Sequence, residues 1–147
     1  MRPFVPVFFA FSAYLFQTAG AFAAPLIMID EAALPDSVAG PSTRGIGRGP
    51  GIKVSSPVDG ASLKSPFVLK LDFESRGGVQ IDPGSVRVAY LKATPVDLTP
   101  RLKGSITAAG INFANAEAPE GKHLLKVSVK DVDGRETNSV VTLIVGK

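Results

Sequence analysis

The stretch whose reading decides the fold is KHLLKVSVKDVDGRETNSVVTLIV, residues 122–145. Its first half alternates, with His123, Leu125, Val127 and Val129 on one side of an extended chain and Lys126, Ser128 and Lys130 on the other, the period of a half-buried strand. Its second half is a β-branched run, and Asp133-Gly134 between them has hairpin chemistry. Turn length then sets the pairing. A two-residue loop would place His123, Leu125 and Val127 opposite Ile144, Thr142 and Val140, which puts a threonine in the core. A three-residue loop over Val132, Asp133 and Gly134, with Gly134 left-handed in a bulge, sets Asp131 opposite Arg135 and makes the partners Leu143, Val141 and Ser139. That second register brings Val141, Leu143 and Val145 to the inward side, and it is the one expected.

The same alternation recurs upstream. FVLKLDFE places Phe67, Leu69, Leu71 and Phe73 on one face and Val68, Lys70, Asp72 and Glu74 on the other, and SVRVAYL sets Val86, Val88 and Tyr90 against Ser85, Arg87 and Ala89. Turn signals at Pro57–Gly60, Arg76–Gly78, Asp82–Gly84 and Pro119–Gly121 punctuate these runs, and no helix-length amphipathic segment interrupts them. Short alternating strands at this spacing predict an all-β, antiparallel β-sandwich of immunoglobulin type over residues 52–147.

Three segments, SSPVDGASLKSPFVLKLDF, PEGKHLLKVSVKDVDGRE and the terminal VTLIV, resemble bacterial Ig-like domains of exported proteins. There a P-x-x-G turn opens the first strand and a P-x-G-x-H/Y corner leads into a V-x-V-x-D-x-x-G hairpin. The likeness implies a fold and no chemistry. The layout is also similar to that of periplasmic copper-resistance proteins, whose copper site pairs a mature N-terminal His with a D-G-H hairpin. Here Arg135 follows Gly134 where that His would stand, so the copper site is not carried over.

Residues 1–23 have the form of a signal peptide: Arg2, an apolar run from Val5 to Phe16, and the small residues of Ala21-Phe22-Ala23 at the positions a signal peptidase requires. Cleavage after Ala23 is expected, leaving a periplasmic or secreted chain that is not inserted in the membrane. The competing expectation is a retained anchor, because apolar character continues through Leu26 to Ile29. Residues 24–51, rich in Gly and Pro toward their end, show no apolar periodicity and are expected to form a flexible linker. Alternating glycines at Gly45, Gly47, Gly49 and Gly51 with Arg44 and Arg48 lack the preceding strand and following helix of a phosphate loop.

Composition removes several classes of activity. Six of the nine Phe and one of the two Tyr precede Ala24, and there is no Trp, so a carbohydrate-binding module is a distant alternative. The net charge of +3 falls to +2 without Arg2, too little and too dispersed for nucleic acid. The absence of Cys rules out a disulfide framework, a lipid-attachment cysteine and thiol catalysis. His123, the one histidine, lies in register with the inward residues of its strand, like the aromatic of a tyrosine corner, and has no His or Cys to share a metal with. Asp131 and Asp133 are spaced like the start of a calcium loop, but the further oxygens are missing, Arg135 adds a cation, and a hairpin turn accounts for them. No catalytic residues and no cofactor are expected.

PVDLTPRLKG, residues 95–104, reads as a crossing between sheets: Thr99 as N-cap, Pro100 in the first turn, Gly104 past the end, Leu98 and Leu102 facing the core, and Asp97 paired with Arg101 at the surface. Its functional alternative is a recognition loop carrying Asp97, Thr99 and Arg101. The expectation for the whole chain is thus an exported, non-catalytic binding or structural accessory domain whose partner is a protein or cell-envelope component. The alternative is a copper- or calcium-handling protein of similar layout.

Overall fold

The computed structural model describes residues 24–38 and 47–147. The expected signal peptide, with Ala21-Phe22-Ala23, and Arg44 and Gly45 of the expected linker lie outside the described residues.

The chain runs β1 (Ala24–Pro25), α1 (Ile29–Ala32), β2 (Gly51–Ser56), β3 (Ser62–Leu63), β4 (Phe67–Glu74), β5 (Ile81–Tyr90), β6 (Val96–Asp97), α2 (Thr99–Leu102), a 3-10 turn (Lys103–Ser105), β7 (Ile106–Thr107), β8 (Gly110–Glu117), β9 (Gly121–Asp131) and β10 (Glu136–Val145). One sheet has the order β1-β8-β4-β2, with β7 also on β8, and the other the order β3-β10-β9-β5-β6. Most pairings are antiparallel, while β1 on β8 and β3 on β10 are parallel. The fold is an all-β sandwich.

Period-2 alternation builds its interior. Phe67, Leu69, Leu71 and Phe73 are buried from β4, Val86, Val88 and Tyr90 from β5, and Leu125, Val127 and Val129 from β9, and all join one core. Lys70, Lys126 and Lys130 on the opposite faces are exposed. The final hairpin adopts the three-residue register: His123 faces Leu143, Leu125 faces Val141 and Val127 faces Ser139. Gly134 has φ +82°, the left-handed conformation that the bulge requires. Its N–H donates to Asp131 O at 2.9 Å, and Asp131 N–H donates to Arg135 O at 3.1 Å.

The stretch expected to be a linker departs from that expectation at both described ends. Leu26 and Ile27 are buried in the core, and both their N–H groups donate to Glu117 O. Two apolar residues flanked by Pro25 and exposed Met28 are too few to show a period, and in sequence they look like the tail of the preceding apolar run. At the other end Gly49 and Pro50 are buried. A Cβ on Gly49 would lie 2.7 Å from Thr137 Oγ1 and 2.9 Å from Arg135 O, so this glycine permits close packing on β10. The boundary expected at residue 52 therefore falls inside the folded unit. No helix among the described residues is long and apolar enough to cross a membrane.

Candidate functional site

The crossing between β5 and β7 organises the site. Leu98 and Leu102 are fully buried, as their spacing predicts, and they anchor α2 against the core. The capping differs from expectation. Leu98 is the N-cap and Thr99 the first helical residue, and the Thr99 N–H donates to Asp97 Oδ1 at 2.9 Å in an Asx turn that leads into the helix. The Thr99 hydroxyl also accepts the Val88 N–H at 2.9 Å and sits 3.4 Å from Val88 O. A side chain thus stands in for a neighbouring strand. The turn also runs on past Gly104, because Lys103–Ser105 continues as 3-10 helix.

Asp97 and Arg101 do not pair. Arg101 points to the other side of α2, where its guanidinium grips Glu31 with bonds of 2.5 and 2.7 Å and donates to Leu26 O at 2.8 Å. The Arg101 hydrogen bond holds the Glu31 carboxyl below the usual glutamate range, and Glu31 in turn raises Arg101. Of the three residues expected in a recognition loop, Asp97 and Thr99 therefore share a surface and Arg101 is used to hold the N-terminal segment.

That surface is an open cleft of about 590 Å³ between the outer edge of β5 and the α2 turn. Pro83, Val86, Pro100 and Ile106 give it an apolar lining, and Arg87, Lys103 and Asp97 supply charge. Hydrogen bonds from Thr99, its hydroxyl first, hold the Asp97 carboxyl below its ordinary range, and the Arg87 charge adds to this. Strand β6 covers β5 only at Ala89 and Tyr90, and Leu98 and Thr99 cover Val88. Closer to the start of β5 no strand among the described residues pairs on this side. There the Arg87 side chain folds back, and Nη1 donates to Gly84 O at 3.0 Å and Val86 O at 2.8 Å. Sequence alternation places Arg87 outward but carries no sign that β5 keeps an open edge beside Lys103.

A second polar cluster is structural. His123 is buried; its Nε2 lies 2.8 Å from Pro119 O and its Nδ1 2.8 Å from Tyr90 Oη. A carbonyl can only accept, so Nε2 carries the proton and the Tyr90 hydroxyl donates to Nδ1. Burial raises the Tyr90 hydroxyl above its ordinary range. Lys92 lies 5.3 Å from the centre of the Tyr90 ring, donates to Ala32 O at 3.0 Å and pairs with Asp36 at 2.7 Å. That pairing raises the Lys92 ammonium and lowers Asp36. Both of His123's nitrogens are thereby engaged.

The aspartates of the hairpin are also engaged. Asp131 Oδ1 accepts the N–H groups of Asp133 and Arg135 at 3.0 and 2.8 Å, and Arg135 forms ion pairs with both Asp131 and Asp133. The cation between the two carboxylates is the chain's own guanidinium. No three His, Cys, Asp or Glu side chains among the described residues come together as a metal site.

No protein-family model matches this chain, and no curated protein does. Among solved structures, a crystal structure described as that of an engineered protein matches 67% of the chain at 15% identity, with a TM-score of 0.44. The chain spans 20% of that protein's length.

Proposed function

We propose that this chain is an exported, non-catalytic Ig-like domain that acts as a binding or structural accessory module for a protein or cell-envelope component. The strand order supports the Ig-like assignment: the chain leaves β2 in one sheet and places β3 beside β10 in the other, and β4, β5, β8 and β9 follow as in a Greek-key sandwich. Export rests on the signal-peptide form of residues 1–23. The observation that carries the binding reading is the cleft beside β5, where a strand edge unpaired among the described residues, an apolar lining and two exposed cationic side chains meet. The engagement of His123 with Tyr90 and Pro119 supports the absence of catalysis, because a general base needs a nitrogen free to take a proton.

The test is a photo-crosslinking amino acid in place of Lys103, within the cleft, against the same group in place of Lys70 on the outer face of the other sheet. Irradiated in the source cells, the position-103 protein should yield a discrete adduct that the position-70 protein does not. Adducts at neither site, or at both equally, contradict a role for the cleft. Mass measurement of the protein from the periplasmic or secreted fraction checks export, with a chain beginning at Ala24 expected and a membrane-bound chain beginning at Met1 contradicting it.

A further inference from the structure

Resting on that binding reading, we infer that the cleft receives an extended acidic peptide, which adds as a strand to the open edge of β5 at Gly84–Val86 and places a carboxylate between Arg87 and Lys103.

The backbone is prepared for such an addition. Val88 turns its N–H and C=O away from β9 and toward Thr99 and Leu98, so this flank of β5 faces the cleft. Further along the strand the carbonyls of Gly84 and Val86 are met only by the Arg87 side chain among the described residues. A long side chain bonded to its own strand is a placeholder, and an incoming peptide N–H can replace it at Val86 O. The guanidinium it displaces is then free to pair with an acid.

The opposite flank of β5 is satisfied differently. Pairing with β9 shifts register between Asp82 and Arg87. Ser85 fills the gap: its hydroxyl accepts the Lys130 N–H at 2.8 Å and lies 3.3 Å from Lys130 O. The irregular segment is thus tied to β9 by a side chain, and the cleft side is left to Arg87.

Charge and shape select the ligand. Two carboxylates lie nearby: Asp97, which accepts the Thr99 N–H and whose charge Arg87 meets, and Asp82, which accepts the Gly84 N–H. The cleft lining itself carries two cations, Arg87 and Lys103, against the one carboxylate of Asp97, a net +1 that favours an acidic side chain. Alternate residues of a strand would point to the floor at Val86 and Ile106, and no aromatic residue among the described residues lines the cleft to stack on a sugar. The competing role for Arg87 is protection of an edge against self-association.

The experiment uses isotopically labelled protein in its exported form and two blocked hexapeptides, acetyl-Thr-Val-Asp-Val-Thr-Val-amide and the same sequence with Lys in place of Asp. Titration followed by amide chemical shifts should give saturable changes confined to residues 84–88 and 99–103, with the Asp peptide bound about tenfold tighter. In R87A the fingerprint spectrum should persist while the preference for the Asp peptide disappears. Equal affinity for the two peptides, shifts along β2 instead, or R87A self-association with no peptide response in the parent protein would each overturn the inference. If neither peptide binds while the adduct at position 103 persists, the strand-addition inference fails and the broader binding reading stands; loss of both removes both.

Discussion

The β9–β10 hairpin and the segment 24–38 line the same core, yet they are held there by different means. The hairpin is a ladder of ten residue pairs closed by its own turn, with Leu125, Val127, Val129, Val141 and Leu143 buried along it. The N-terminal segment contributes two buried apolar side chains, a two-residue strand and a set of side-chain ties from α2 and from the residues after β5. Glu31 lies 70 positions from Arg101, and Asp36 56 positions from Lys92. Contacts of the first kind form with the sheet and fail with it. Those of the second kind can open while the rest of the sandwich persists, as local units of low stability do in other folds.

Core truncations should separate the two regions most clearly. Leu125→Ala is expected to cost about 2–5 kcal/mol in denaturant unfolding and to weaken the whole domain. Leu26→Ala should cost about 2 kcal/mol, near the bottom of that range, because release of the segment caps the penalty. A Leu26→Ala change without effect would restore the linker.

The ties come next. Glu31→Gln removes a partly buried, two-pronged ion pair, with Glu31 16% and Arg101 25% exposed, and should cost about 1–2 kcal/mol. Acid should act through the same bond. Because the folded-state Glu31 carboxyl titrates below its unfolded value, the tie contributes fully above the usual glutamate range and is lost as the pH falls through the lowered value. Proteolysis within residues 24–38 should therefore rise on acidification in the parent protein, and Glu31→Gln should flatten that response. An unchanged pH profile in the variant would remove Glu31 from the account.

The smallest effect belongs to the hairpin turn. Gly134→Ala should destabilise by about 1 kcal/mol, since a Cβ is disfavoured at φ +82° although nothing lies within 4 Å of it. A stabilising substitution there would contradict the left-handed bulge.

These regions also differ in how much of them the sequence carries. In the hairpin, alternation and turn chemistry act between near neighbours, so 122–145 contains enough to choose one register over another. In 24–38 the stabilising partners are far along the chain. Arg101 was expected to meet Asp97, four residues away, but Asp97 accepts the Thr99 N–H and Arg101 takes Glu31. The same locality limits the cleft. Leu98 and Leu102 announce an inward face, and Asp97 and Thr99 were legible as a candidate loop. That Arg87 and Lys103 join them depends on where β6 stops covering β5, which no pattern within either segment encodes.

Native-state hydrogen exchange on the protein tests the contrast most directly. The amides of Leu26, Ile27 and Ala93, which donate to Glu117 O and Pro35 O, should be protected but should exchange through a smaller opening than Val127 and Val141. Glu31→Gln should speed the first set and leave the second unchanged. Exchange of Leu26 and Ile27 at the rate of an unstructured peptide, or in step with the hairpin amides in both proteins, would contradict a docked and separately releasable segment.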